Sequence, residues 1–133
     1  MLRVEAFDHI VLNVANVAVS AERYARVLGM RVETHHPEHG AMRTSLRFGR
    51  NKINLRPITA SQAEWFTGRA PQPGSDDLCF ITALAPNDVA THFRACGVTV
   101  ELGPPTKQGA LGPIRSVYVR DPDGNLIEVS SYP

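Results

Sequence analysis

The chain is poor in several things, and each shortage closes off a class of protein. It has only two cysteines, Cys79 and Cys96. They stand in apolar surroundings without framework spacing, so both read as reduced, packed thiols rather than members of a disulfide scaffold. Its longest apolar runs fall far short of the roughly 20 residues that a bilayer-spanning helix needs, so no membrane partner is expected. Charge of neither sign dominates: 14 Lys and Arg stand against 13 Asp and Glu. Without a clustered basic excess, no nucleic-acid footprint is expected. Met1-Leu2-Arg3-Val4-Glu5 carries no secretory pattern. The expectation is a cytoplasmic protein of one compact domain, since 133 residues suffice for a real core.

What the chain does have is an internal duplication. Phe7-Asp8-His9-Ile10-Val11-Leu12-Asn13-Val14 aligns with Ser75-Asp76-Asp77-Leu78-Cys79-Phe80-Ile81-Thr82. A helical stretch follows each. Leu28-Gly29-Met30-Arg31-Val32-Glu33 then aligns with Ala95-Cys96-Gly97-Val98-Thr99-Val100, and Asn51-Lys52-Ile53-Asn54-Leu55 with Asn125-Leu126-Ile127-Glu128-Val129. The spacing predicts strands over 7–14, 31–34, 44–48 and 52–56, with a helix starting near Val17 or Ser20 and stopping at Gly29. The second half predicts strands over 77–82, 98–102, 114–120 and 126–130. It adds a helix over 86–95 with Pro86 in its first turn, and a Gly- and Pro-rich loop over 103–112. The expected class is α+β: two tandem βαβββ modules, 5–57 and 75–133, joined by a linker over 58–74. Together they would form a cupped mixed sheet with helices on its outer face.

Strand alternation then sorts the side chains. Ile10, Leu12, Val14, Ile53 and Leu55 suit the helix-covered side, which turns His9, Val11, Asn13, Asn54 and Arg56 to the cup. Leu78, Phe80, Ile127 and Val129 do the same for Asp77, Cys79, Glu128 and Ser130. So His9, Asn54, Asp77 and Glu128, at equivalent positions of the repeat, share the concave face and form a candidate metal set.

The repeat, the opening Asp8-His9-Ile10, the Leu28-Gly29-Met30 after the first helix and the closing Asp121-Pro122-Asp123-Gly124-Asn125-Leu126-Ile127-Glu128-Val129 resemble the vicinal oxygen chelate superfamily. That group includes glyoxalase I, fosfomycin-resistance transferases, extradiol dioxygenases and bleomycin-resistance proteins. The resemblance is greatest to small glyoxalase-domain-containing proteins of uncharacterised activity. It implies metal ligation by His9 and Glu128, with Asp77 where the family usually has histidine. Asn54 stands where glyoxalase I has glutamate. The set His/Asn/Asp/Glu thus departs from the family pattern twice.

One imidazole and two carboxylates form a triad that suits Mn or Fe, with Mg and Zn as alternatives, and leaves room for a small substrate donating two oxygens. Such a metal acts as a Lewis acid. Glu128 and Tyr118 are the expected catalytic groups, and Arg56 the expected cation for an acidic substrate. The expected function is a divalent-metal-dependent lyase, isomerase or dioxygenase on a small oxygen-rich substrate. The alternative is a metal-free small-molecule binding or drug-sequestering protein of the bleomycin-resistance type. Family members of this length often pair, so a C2 homodimer with two identical sites is expected. The remaining polar features have plainer readings. His35, His36 and His39 fall in a solvated turn, Asp121-Pro122-Asp123-Gly124 is turn chemistry, and Trp65 with Phe66 packs the linker.

Overall fold

A computed structural model describes all residues, 1–133. The chain divides into two compact units, Met1–Pro73 and Gly74–Pro133. In the first, the order is β1 (Ile10–Val14), α1 (Val17–Leu28), β2 (Arg31–His35), β3 (Arg43–Phe48) and β4 (Asn51–Pro57). In the second it is β5 (Asp77–Ile81), α2 (Pro86–Ala95), β6 (Thr106–Gly109), β7 (Gly112–Arg120) and β8 (Leu126–Ser131). Each unit holds a four-stranded mixed sheet, ordered β1-β4-β3-β2 and β5-β8-β7-β6. The fold is α+β, and the same βαβββ topology is built twice.

The parallel ladders agree with the internal alignment of the first and last strands of the two units. Val11 pairs with Asn54, and Cys79 with Glu128, in parallel registers. The aligned residues therefore occupy equivalent places in the two sheets.

Each unit closes its core between helix and sheet. Tyr24 and Val27 of α1 are buried, as are Leu12, Val14, Leu46, Ile53 and Leu55 of the sheet. In the second unit Val89, Ala90 and Phe93 of α2 are buried, along with Val117, Val119, Ile127 and Val129. These side chains alternate along their strands, so the opposite set turns to the open face. Helix α1 is capped at its start by Asn16, whose side chain accepts from the Val19 N–H at 3.0 Å. It ends at Gly29, where φ of +67° suits a residue without Cβ.

The edge of the second sheet differs from expectation. The strand expected over 98–102 reduces to a bridge of Leu102 to Tyr118, and the expected loop 103–112 contains β6. The physical reason lies in Pro104 and Pro105, which have no N–H to donate and interrupt the ladder. Pairing resumes just after them. Pro105 accepts from the Ser116 N–H at 3.1 Å, and Thr106 then pairs with Arg115. The edge is one interrupted strand rather than a strand followed by a loop.

Candidate functional site

The open face of the first unit is built by alternate residues of β1, β4, β3 and β2. Val11, Asn54, Ser45 and Glu33 stand in one cross-strand row. Asn54 is half-buried, and its Oδ1 accepts from the Ser45 hydroxyl at 2.7 Å. That bond directs the amide and occupies one lone pair of the oxygen expected as a weak ligand.

His9 lies just before β1, with its side chain 44% exposed, and its Nδ1 sits 2.7 Å from the Asp8 carboxylate. With Nδ1–H donating to Asp8, Nε2 keeps its lone pair and makes no hydrogen bond. A carboxylate behind a histidine is a common way to fix the tautomer of a metal-binding ring. The Asp8 carboxyl is held below the usual range by its hydrogen bond to His9, then by the attraction of that ring whenever it is protonated. Lys52 and Arg47 add to this from the same face.

The expectation for Arg56 changes most. It is 1% exposed, among the most buried large side chains of the chain. Its Nη1 donates to Asn13 Oδ1 at 2.9 Å and its Nε to the Trp65 carbonyl at 3.1 Å. Its Nη2 donates to the carbonyls of Ala60 at 2.6 Å and Ser61 at 3.3 Å. A guanidinium so committed is a scaffold for the segment after β4 rather than a free hand for a substrate. Alternation does turn Arg56 to the open face, but residues 60–65 fold back over it.

The open face of the second unit carries Asp77, Cys79 and Ile81 of β5, Glu128 and Ser130 of β8, and Ser116 and Tyr118 of β7. Tyr118 pairs with Glu128, and Ser116 with Ser130. Ser116 and Ser130 are buried, at 0% and 1% exposure. The Ser116 hydroxyl donates to Glu128 Oε1 at 2.5 Å. Its one proton is thereby used, so the 2.8 Å contact between the two serines is a donation from Ser130 to Ser116. Ser130 also lies 3.3 Å from Glu128 Oε1. The Cys79 Sγ lies 3.4 Å from Ser130 Oγ, where either atom can donate. The chain of contacts runs Cys79, Ser130, Ser116, Glu128.

Two proton affinities record this arrangement. Burial first, and then the hydrogen bond to Glu128 and its charge, pushes the Tyr118 hydroxyl upward, so it keeps its proton at neutral pH. Burial likewise pushes the Cys79 thiol up, and Glu128 and Asp77 add to this while the Ser130 hydrogen bond opposes it. Asp77 is exposed, and its side chain makes no hydrogen bond or ion pair. Within neither unit are three His, Cys, Asp or Glu side chains gathered into a metal-holding group.

Sequence reasoning placed Asn54, Asp77, Glu128 and Ser130 on these faces and offered Tyr118 as a catalytic group, but gave no role to Asp8, Ser116, Ser130 or Asn125. A signal existed for the serines: Ser116 and Ser130 fall in strands of Val and Ile, where an inward hydroxyl needs a partner. Asn125, 0% exposed, accepts from the Asp76 N–H through Oδ1 at 2.9 Å and donates to Asp121 Oδ2 at 2.8 Å. It fixes the start of β5 beside β8, and with it the place of Asp77.

Residues 6–129 match the family model described as Glyoxalase/Bleomycin resistance protein/Dioxygenase superfamily. The chain is 41% identical over 131 residues to virulence protein STM3117 of Salmonella typhimurium, covering 97% of this chain and 85% of that protein. It is 42% identical over 133 residues to glyoxalase domain-containing protein RDO1 of Mycosarcoma maydis, covering 98% of this chain and 70% of that one. Among solved structures, an integron cassette protein from the mobile metagenome of V. cholerae superposes with a TM-score of 0.91 at 41% identity, covering 100% of this chain and 99% of that one. With its duplicated βαβββ topology and a match spanning nearly its whole length, the chain belongs to the glyoxalase/bleomycin resistance/dioxygenase superfamily.

Proposed function

We propose that the protein is a divalent-metal-dependent enzyme acting on a small oxygen-rich substrate, with His9, Asp77 and Glu128 as metal ligands and Asn54 as a weaker oxygen donor. The observation that carries this reading is the state of the donors. His9 keeps Nε2 open while Asp8 occupies Nδ1. The Asp77 carboxylate has no partner, and no cationic side chain is paired with Glu128, whose Oε1 is met only by hydroxyls. An inward carboxylate without a cation is costly to keep, and a divalent ion would offset that cost. One imidazole with two carboxylates is a hard set that favours Mn or Fe over Zn. The proposed assembly is a C2 homodimer with two identical sites.

The chemistry supplied by a divalent cation held there is polarisation of a substrate oxygen. The chain's own residues do the rest. Ser116 fixes the rotamer of Glu128 by donating to Oε1, and Ser130 holds the Ser116 hydroxyl in turn. Tyr118, protonated at neutral pH, can hold or deliver a proton at its hydroxyl. Asp8 fixes the His9 ring.

Metal content of protein purified without chelator tests the reading, with His9→Ala and Glu128→Ala alongside the parent. Both substitutions should lower bound metal sharply, with the loss restored by neither high ionic strength nor lower temperature. If neither does, the family's other mode, sequestration of a small molecule without metal, replaces the enzyme reading.

A further inference from the structure

Arg43 opens β3 and, by alternation, shares the open face with Ser45 two residues on, and hence with Asn54 across the ladder. It is half-buried, and its guanidinium carbon lies 4.1 Å from the centroid of the Trp65 ring. Stacking on an indole fixes the plane of a guanidinium while leaving its N–H edge free. The Arg43 side chain makes no hydrogen bond and no ion pair, so that edge is unspent.

The indole is itself held. Its backbone fixes it: the Trp65 backbone N–H donates to the Ser61 carbonyl at 2.9 Å, and the Trp65 carbonyl accepts from Arg56 at 3.1 Å. The buried cation thus anchors the segment that presents the platform for the second, stacked cation. Arg56 is met by neutral oxygens alone. The carboxylate of the same face, Glu33, is already taken by Arg47 at 2.9 Å and Arg31 at 3.5 Å. Glu64, next to Trp65, accepts from the Ser61 hydroxyl at 3.1 Å. Two guanidinium charges therefore stand at one end of this face with no carboxylate paired to either.

We infer that Arg43, clamped on Trp65, is an anion-binding residue for the substrate, which is then a small molecule bearing a carboxylate or phosphate group. This rests on the proposed use of the open face as the substrate site. Ser45 stands two positions on from Arg43, roughly 7 Å along the strand. A substrate whose oxygens reach Asn54 would carry its charged group a few bonds away. A planar guanidinium binds either anion in bidentate fashion.

The test uses the whole chain as purified, at fixed ionic strength. Trp65 is the only tryptophan, so its fluorescence reports directly on the platform. Inorganic phosphate and acetate are titrated separately, with calorimetry as a second readout that does not depend on the indole. A saturable response is expected with at least one anion, and the tighter of the two names the class. Arg43→Gln should weaken binding about ten- to a hundredfold, the range for losing a charge-assisted pair. Arg31→Gln, at the exposed edge of the same face, should change it no more than about twofold. Folding of Arg43→Gln is checked by its thermal midpoint, and Arg43→Lys, which keeps charge but not the fork, should recover only part of the affinity. Parental affinity in Arg43→Gln, or no saturable response of the parent to either anion, would overturn the inference. Metal content separates the two proposals. Arg43→Gln should retain metal, and anion binding that survives in His9→Ala leaves this inference standing whatever becomes of the metal reading.

Discussion

Arg56 carries four hydrogen bonds from one side chain at 1% exposure, and its removal should therefore be among the most damaging single changes in the first unit. Consider Arg56→Met, which keeps much of the apolar stem and deletes the donors. Each hydrogen bond from a charged donor contributes about 1.5–3 kcal/mol net, so a naive sum would exceed 6 kcal/mol on that scale. The acceptors moderate it. Ser61 is exposed and Ala60 and Trp65 are half-buried, so their carbonyls regain water once residues 60–65 lift away. The cost should therefore sit near the lower bound for breaking a buried charged network, about 3 kcal/mol. With a urea slope of about 2 kcal/mol/M, this moves the unfolding midpoint down by roughly 1.5 M. Arg56→Lys separates charge from geometry. A single ammonium cannot span acceptors on Asn13, Ala60, Ser61 and Trp65 together, so a loss of about 2 kcal/mol remains. The assay is urea unfolding followed by Trp65 emission, which should also shift to the red in the native baseline as the indole loses its cover. A midpoint within about 0.3 M of the parent for both variants would refute the scaffold assignment. It would also return Arg56 to the substrate-binding role that strand alternation first gave it.

Further predictions concern the second unit. Asn125→Ala removes the acceptor of the Asp76 N–H and a donor to Asp121 Oδ2 at a fully buried position. It should destabilise by about 2–3 kcal/mol, read as a fall in thermal midpoint. Cys79 should alkylate slowly at neutral pH despite being exposed, because its thiol is pushed above the ordinary range. The sign follows from the cause. Burial, Glu128 and Asp77 all disfavour the thiolate, so the pH profile of iodoacetamide modification is displaced upward. Glu128→Gln should bring it down and Ser130→Ala should raise it further, as followed by mass spectrometry on Cys96→Ala protein. A profile unmoved by Glu128→Gln would disconnect Cys79 from the chain of hydroxyls that ends on that carboxylate.

The chain alone carried much of this architecture, because two periodicities are written directly in it. Apolar residues at alternate positions decide which side of a strand meets a helix, and this placed Asn54, Glu128 and Ser130 on the open faces without any long-range information. The duplicated register, Val11 with Asn54 and Cys79 with Glu128, followed from aligning the two halves. The edge strand after Leu102 escaped because Pro104 and Pro105 are local signals of a loop, while the pairing of Thr106–Gly109 with β7 is supplied from across the sheet.

The fate of the arginines lay beyond sequence for the same reason. Alternation puts Arg43 and Arg56 on one face and cannot tell them apart. What separates them is a segment that folds back, so that carbonyls four, five and nine residues on and an amide 43 residues away close around Arg56. The same fold-back slides an indole under Arg43. A side chain's direction is set by its own backbone, but whether its charge is spent or left available depends on which distant groups arrive beside it, and only the folded chain decides that.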